Sequence, residues 1–134
     1  MLKLPKRMEE VLLKVYGGDR RESEVARELG ISKQAVSKFV REGRARLTEI
    51  LIEVAEVLQA DVIRVNPMKG YAVLKCRGSG VKAYVIYVPG KGPRVIFSNS
   101  LELSEDVVKA VKEWGLVRGC SNDLIKCLVS TLES

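Results

Sequence analysis

Apolar residues in the first part of the chain recur at helical spacing: Met8, Val11, Leu12 and Val15 predict a helix over residues 6–16. Gly17 and Gly18 end it. Asp19 followed by Glu22 has the spacing of a capping box and predicts a second helix running to about Leu29, with Val25, Ala26 and Leu29 inward. Gly30 suits the left-handed residue that closes a helix, and Ser32 offers the cap of a third helix through Val40. Leu47, Ile50, Leu51, Val54, Val57 and Leu58 then recur three and four apart, which predicts a long helix ending near Ala60. Gly43 either breaks this helix from the third or sits inside one rod, since a glycine within a helix costs only about 1 kcal/mol.

The periodicity changes at Asp61. Residues 62–65, 70–77, 81–88 and 94–97 are short β-branched and aromatic runs, separated by turn-forming stretches at 66–70, 78–80 and 89–93. Connections this short favour an antiparallel sheet. Ser104 caps a helix carrying Val107, Val108, Val111 and Trp114, and residues 121–123 cap a last one carrying Leu124, Ile125, Leu128 and Leu132. The fold class is α+β: an N-terminal helix-turn-helix bundle, a long linking helix, and a small antiparallel sheet with two helices. The expected divisions are 1–46, 47–60 and 61–134.

Charge sharpens this outline. The 134 residues hold 23 Lys and Arg against 17 Asp and Glu, a net charge of +6, and such a balance favours polyanionic partners. Lys33, Lys38, Arg41, Arg44 and Arg46 stand against Glu42 alone, whereas Glu49, Glu53 and Glu56 follow with no base among them. A second basic region holds Arg64, Lys69, Lys75, Arg77, Lys82, Lys91 and Arg94. For the sheet residues Lys75, Arg77, Lys82 and Arg94 a solvated face is the expectation, with an extended DNA footprint or an anionic-effector site as the alternative. No apolar run approaches the roughly 20 residues needed to span a bilayer. Acidic Glu9 and Glu10 arrive before any apolar stretch, so no signal peptide is expected.

Candidate chemistry is sparse. The chain has no histidine, hence no ordinary general base near neutral pH, and an enzyme is not expected. The glycine-rich stretches at 78–80 and 89–93 lack the following helix with Lys-Ser/Thr that a phosphate loop requires, and are expected as hairpin turns. Cys76, Cys120 and Cys127 show no zinc-ligand spacing, so neither metal nor cofactor is expected. Their odd count suits a reducing cytoplasm, with Cys76 and Cys127 as small buried hydrophobes and a thiol switch at Cys120 as the alternative.

The segment from Glu22 to Val40 carries a more specific pattern. Ala26 supplies a small residue where two helices cross, Gly30 the turn, and Ile31, Val36 and Phe39 the apolar anchors around it. This resembles the tri-helical DNA-binding domains of archaeal and bacterial regulators, and is similar to those of sigma factors and LuxR-type proteins, over residues 6 to about 46. The resemblance implies that the second helix of the pair lies in the major groove, with Lys33, Gln34, Ser37, Lys38 and Arg41 facing base edges. Arg20, Arg21, Ser32, Arg44 and Arg46 are then placed for phosphates.

The expected function is a sequence-specific regulator of transcription that binds double-stranded DNA as a cytoplasmic homodimer, with a small-molecule or protein effector at residues 61–134 and no membrane partner. The stripe of Leu47, Ile50, Leu51, Val54, Val57 and Leu58 either forms the dimer seam or packs the long helix onto its own chain. One alternative is a DNA-processing enzyme of nuclease or recombinase type acting through Asp61 or Asp106. Another is an RNA-binding or architectural protein that uses both basic regions.

Overall fold

A computed structural model of the chain describes residues 2–121 and 123–134. The first helix, α1 (Lys6–Leu12), runs into a π-helical turn over Leu13–Gly17, closed by the Gly18 amide donating to the Leu13 carbonyl at 2.9 Å. Helices α2 (Glu22–Leu29) and α3 (Lys33–Val57) follow, separated by residues 30–32. Four strands, β1 (Ala60–Asn66), β2 (Tyr71–Cys76), β3 (Lys82–Val88) and β4 (Gly92–Phe97), form an antiparallel meander in the order β1-β2-β3-β4. Helices α4 (Glu105–Glu113) and α5 (Leu124–Glu133) complete the α+β fold.

The third and fourth predicted helices are one rod of 25 residues. Gly43 lies buried within it because α1 crosses there. A Cβ at Gly43 would come 2.8 Å from Leu12 Cδ1 and 3.0 Å from Met8 Cγ. The glycine thus permits a close helix crossing rather than marking a break.

Successive strand residues face opposite sides of the sheet, and two tyrosines of β3 show what covers each. The Tyr87 hydroxyl donates to Glu9 of α1, whereas the Tyr84 hydroxyl donates to Glu133 of α5. Arg94, opposite Ile86 and so on the Tyr84 side, reaches Asp106 of α4. The sheet is therefore sandwiched, with α1 and α3 on one face and α4 and α5 on the other. Its principal core runs from Leu4, Met8 and Leu12 through Leu47, Leu51, Val73 and Val85 to Trp114 and Leu132. A smaller core joins Val11, Val25, Ala26, Val36 and Val40 of the three N-terminal helices. Because α1 and α3 serve both cores, packing is continuous across the expected divisions at 46 and 60.

Several local expectations are corrected. Asp19 forms no capping box: the N-cap of α2 is Arg21, which makes no side-chain cap bond. Asp19 takes a left-handed conformation with φ of 52°, and its carboxylate receives Arg118 and lies 3.9 Å from Lys69 Nζ. Cys127 is half-buried and disulfide-bonded to Cys120, so it is not the free buried thiol expected; Cys76 is the free cysteine. Asp123 caps α5 by accepting from the Ile125 and Lys126 amides, while Asn122, part of the expected cap, lies outside the described residues, as does Met1. No helix among the described residues is long and apolar enough to cross a membrane.

Candidate nucleic-acid interface

The turn between α2 and α3 is built from local chemistry. Gly30 has φ of 66°, a backbone conformation that costs other residues about 1–2 kcal/mol. The Gly30 and Ile31 amides donate to carbonyls of the last turn of α2, which closes that helix. Two residues on, the Ser32 hydroxyl accepts from the Ala35 amide at 3.0 Å and starts α3. Val25 and Ala26 then meet Val36 and Val40, with Leu29, Ile31 and Phe39 packed around them. Burying this face of α3 fixes which residues point out.

Lys33, Gln34, Lys38 and Arg41 are exposed on the outward side of the first half of α3, and Arg44 and Arg46 are exposed further along. Among the described residues, Lys33, Lys38, Arg41, Arg44 and Arg46 have no acidic partner within 4.0 Å. Lys33, Lys38, Arg41 and Arg44 thus keep their hydrogen-bond donors available to an anion or a base edge, whereas Arg46 lies apart, in a groove with Glu49, Glu53 and the N-terminal residues Lys3–Pro5.

Two of the expected positions are engaged otherwise. The half-buried Ser37 donates its hydroxyl proton to Glu22 Oε1 at the start of α2. Arg20 pairs with Glu28, which Lys14 also reaches at 2.9 Å. Those two cations, through their hydrogen bonds, hold the Glu28 carboxyl below its usual range. Arg21 is largely exposed, with Glu24 3.9 Å away.

Sequence spacing gives Glu22 no role at this face. It pairs Glu22 with Asp19 as a cap, and only the α2–α3 crossing brings Glu22 to Ser37. An open groove of about 470 Å³ runs beside it, lined by Tyr16, Glu22, Ser37, Arg41, Arg44 and Pro67 among others. Pro67 belongs to the β1–β2 turn, so the sheet reaches the edge of the presented face. Lys69 of the same turn donates to the Tyr16 carbonyl at 2.8 Å, and Arg118 donates to the Gly17 carbonyl. The C-terminal half thereby holds the segment that leads into α2.

Of its two expected roles, the Leu47–Leu58 stripe chiefly takes the second, packing α3 onto its own chain. Leu47, Ile50, Leu51 and Val54 are buried in the principal core, and Leu58 packs against it. Val57 is the exception, 80% exposed; Ile52, Val62 and Ile63 are further exposed apolar residues of α3 and β1. The stripe is therefore largely occupied within the chain.

The second basic region is largely paired. Arg77 meets Asp61 at 3.0 Å, Lys82 meets Glu133 at 3.1 Å, and Lys91 and Arg94 flank Asp106 at 3.4 and 4.0 Å. Asp61 on β1 and Asp106 beside β4 stand at opposite edges of the sheet, each with arginine or lysine. No group of three or more Cys, Asp or Glu able to hold a metal occurs among the described residues.

No protein-family model, curated protein or solved structure matches this chain.

Proposed function

We propose that this chain binds double-stranded DNA through α2, the turn at residues 30–32 and the first half of α3, and that it regulates transcription from the site it occupies. The observation that carries the reading is the outward face of α3. Lys33, Lys38, Arg41 and Arg44 are exposed there beside Gln34, with no acidic partner among the described residues. Lys and Arg suit guanine N7 and O6, and Gln suits adenine. Arg21, Arg44 and Arg46 supply phosphate contacts, which set affinity and register.

One recognition helix addresses few base pairs, so the regulator is proposed to act as a homodimer on a two-fold site. Selection from random duplex DNA, followed by binding titrations at several salt concentrations, tests the reading. A selected motif bound at least about tenfold more tightly than the starting pool, with affinity falling as salt rises, is expected. Failure to bind any duplex at low salt would overturn it. A palindromic motif and a doubled solution mass on that motif test the dimer, and a reporter carrying the motif beside a promoter tests regulation.

A further inference from the structure

The hydrogen bond between Ser37 and Glu22 changes what this face can recognise. A serine hydroxyl has one proton to donate and two lone pairs. Here the proton is committed to Glu22 Oε1, so Ser37 presents only lone pairs outward. The ionised carboxylate is likewise acceptor-only. Both residues line the groove they share with Arg41 and Arg44. Lys33 and Arg41 lie four residues before and four after Ser37, hence one helical turn away on the same side, and both are donor-only groups. The presented surface is an acceptor patch between two donors.

We propose that the Glu22–Ser37 pair is a specificity determinant that selects cytosine through its N4 amino group; the inference rests on the DNA-binding reading above. In the major groove, cytosine offers an amino donor, and its paired guanine offers the N7 and O6 acceptors. An acceptor patch flanked by Lys33 and Arg41 complements that pair on both strands. Adenine also carries an amino group, but its neighbouring N7 lone pair opposes an acceptor-only surface. Guanine and thymine present O6 and O4 acceptors to the patch and are rejected. Glu22 would thus act both directly, as an acceptor, and by fixing the orientation of the Ser37 hydroxyl.

The test uses the full chain and its selected duplex. At one position, replacing cytosine by 2-pyrimidinone, which lacks the N4 amino group, should weaken wild-type binding roughly ten- to a hundredfold. Glu22→Gln keeps the shape, and its amide can donate to Ser37, releasing the hydroxyl proton outward. Under this variant the preference at that position should fall to within about threefold, with the other positions unchanged. Ser37→Ala should weaken the same preference, and retained thermal melting shows that either variant folds. Specific binding that is indifferent to amine removal at every position, or a preference unchanged by Glu22→Gln, overturns this inference alone. No duplex binding at all overturns the DNA reading and this inference with it.

Discussion

Glu9 on α1 and Tyr87 on β3 meet inside the protein, with the phenol oxygen 2.6 Å from Glu9 Oε2. Glu9 is only 8% exposed, and the same carboxylate oxygen accepts from the Gly90 amide at 2.9 Å. Tyr87 in turn accepts from the Leu4 amide at 2.8 Å. One buried network therefore ties the N-terminal segment, α1 and the β3–β4 turn together. Tyr87→Phe removes both the donor to Glu9 and the acceptor for Leu4, and should destabilise the fold by about 1–3 kcal/mol. Urea unfolding measures it, and a change near zero would show that the network contributes little.

Two glycines separate conformational from steric demand. Gly30 has φ of 66°, and a Cβ placed there would meet nothing within 4 Å, so Gly30→Ala carries only the left-handed penalty, about 1–2 kcal/mol. Gly70 has φ of 68°, and a Cβ there would overlap the Trp114 ring. Since Trp114 is fully buried and bonded through Nε1 to the Tyr87 carbonyl, it has no free direction to move. Gly70→Ala should cost more than about 3 kcal/mol, well above Gly30→Ala. Equal midpoint shifts in urea would contradict this packing.

Alkaline pH should weaken the fold. Burial, then the hydrogen bond to Glu133, pushes the Tyr84 phenol up from 10.0 to about 12. Burial and Glu9 raise Tyr87 as well. An unfolded chain releases these protons near pH 10, before the folded one does. The stability that the neutral phenols contribute is thus fully present below pH 10 and lost as pH climbs from there through about 12. Near-ultraviolet phenolate absorbance should show late-titrating tyrosines, and Tyr84→Phe should lessen the fall in stability. A flat unfolding free energy over that range would contradict it.

At the proposed interface, Gln34 and Arg44 should behave differently. Gln34→Ala should relax preference at one base position, at a cost of about 1–3 kcal/mol on the best site. Arg44→Ala should weaken random and selected duplexes alike and reduce the salt slope by about one. Parallel titrations on both duplexes distinguish them; a uniform loss for Gln34→Ala would reverse the assignment of that side chain.

What can be foreseen from sequence divides along contact range. The Gly30 turn and the Ser32 and Ser104 caps depend on neighbours a few residues away and appear where expected. The four β-branched runs form the four strands, although β4 begins at Gly92, inside the expected 89–93 turn. Asp19 resembles a cap in local spacing because Arg118, 99 residues distant, is invisible to it. Gly43 is ambiguous for a similar reason, its meaning residing in Leu12 and Met8 of another helix. The cations of the presented face are legible as residue types at helical spacing. The engagement of Ser37 by Glu22 is not, because it arises from the crossing of α2 over α3. The Cys120–Cys127 bond spans only seven residues, but three cysteines of odd count do not say which two pair.

Because α3 is continuous from Lys33 to Val57, the presented face and the core-packing face share one angular phase, set purely by residue count. Each residue turns an α-helix by about 100°. A single residue inserted between Arg46 and Leu47 would rotate Lys38 and Arg41 by that angle relative to the sheet, whereas about seven would nearly restore the alignment. The rod is in this sense a fixed gear between the two halves of the molecule, and its length is as much a part of the proposed interface as its side chains.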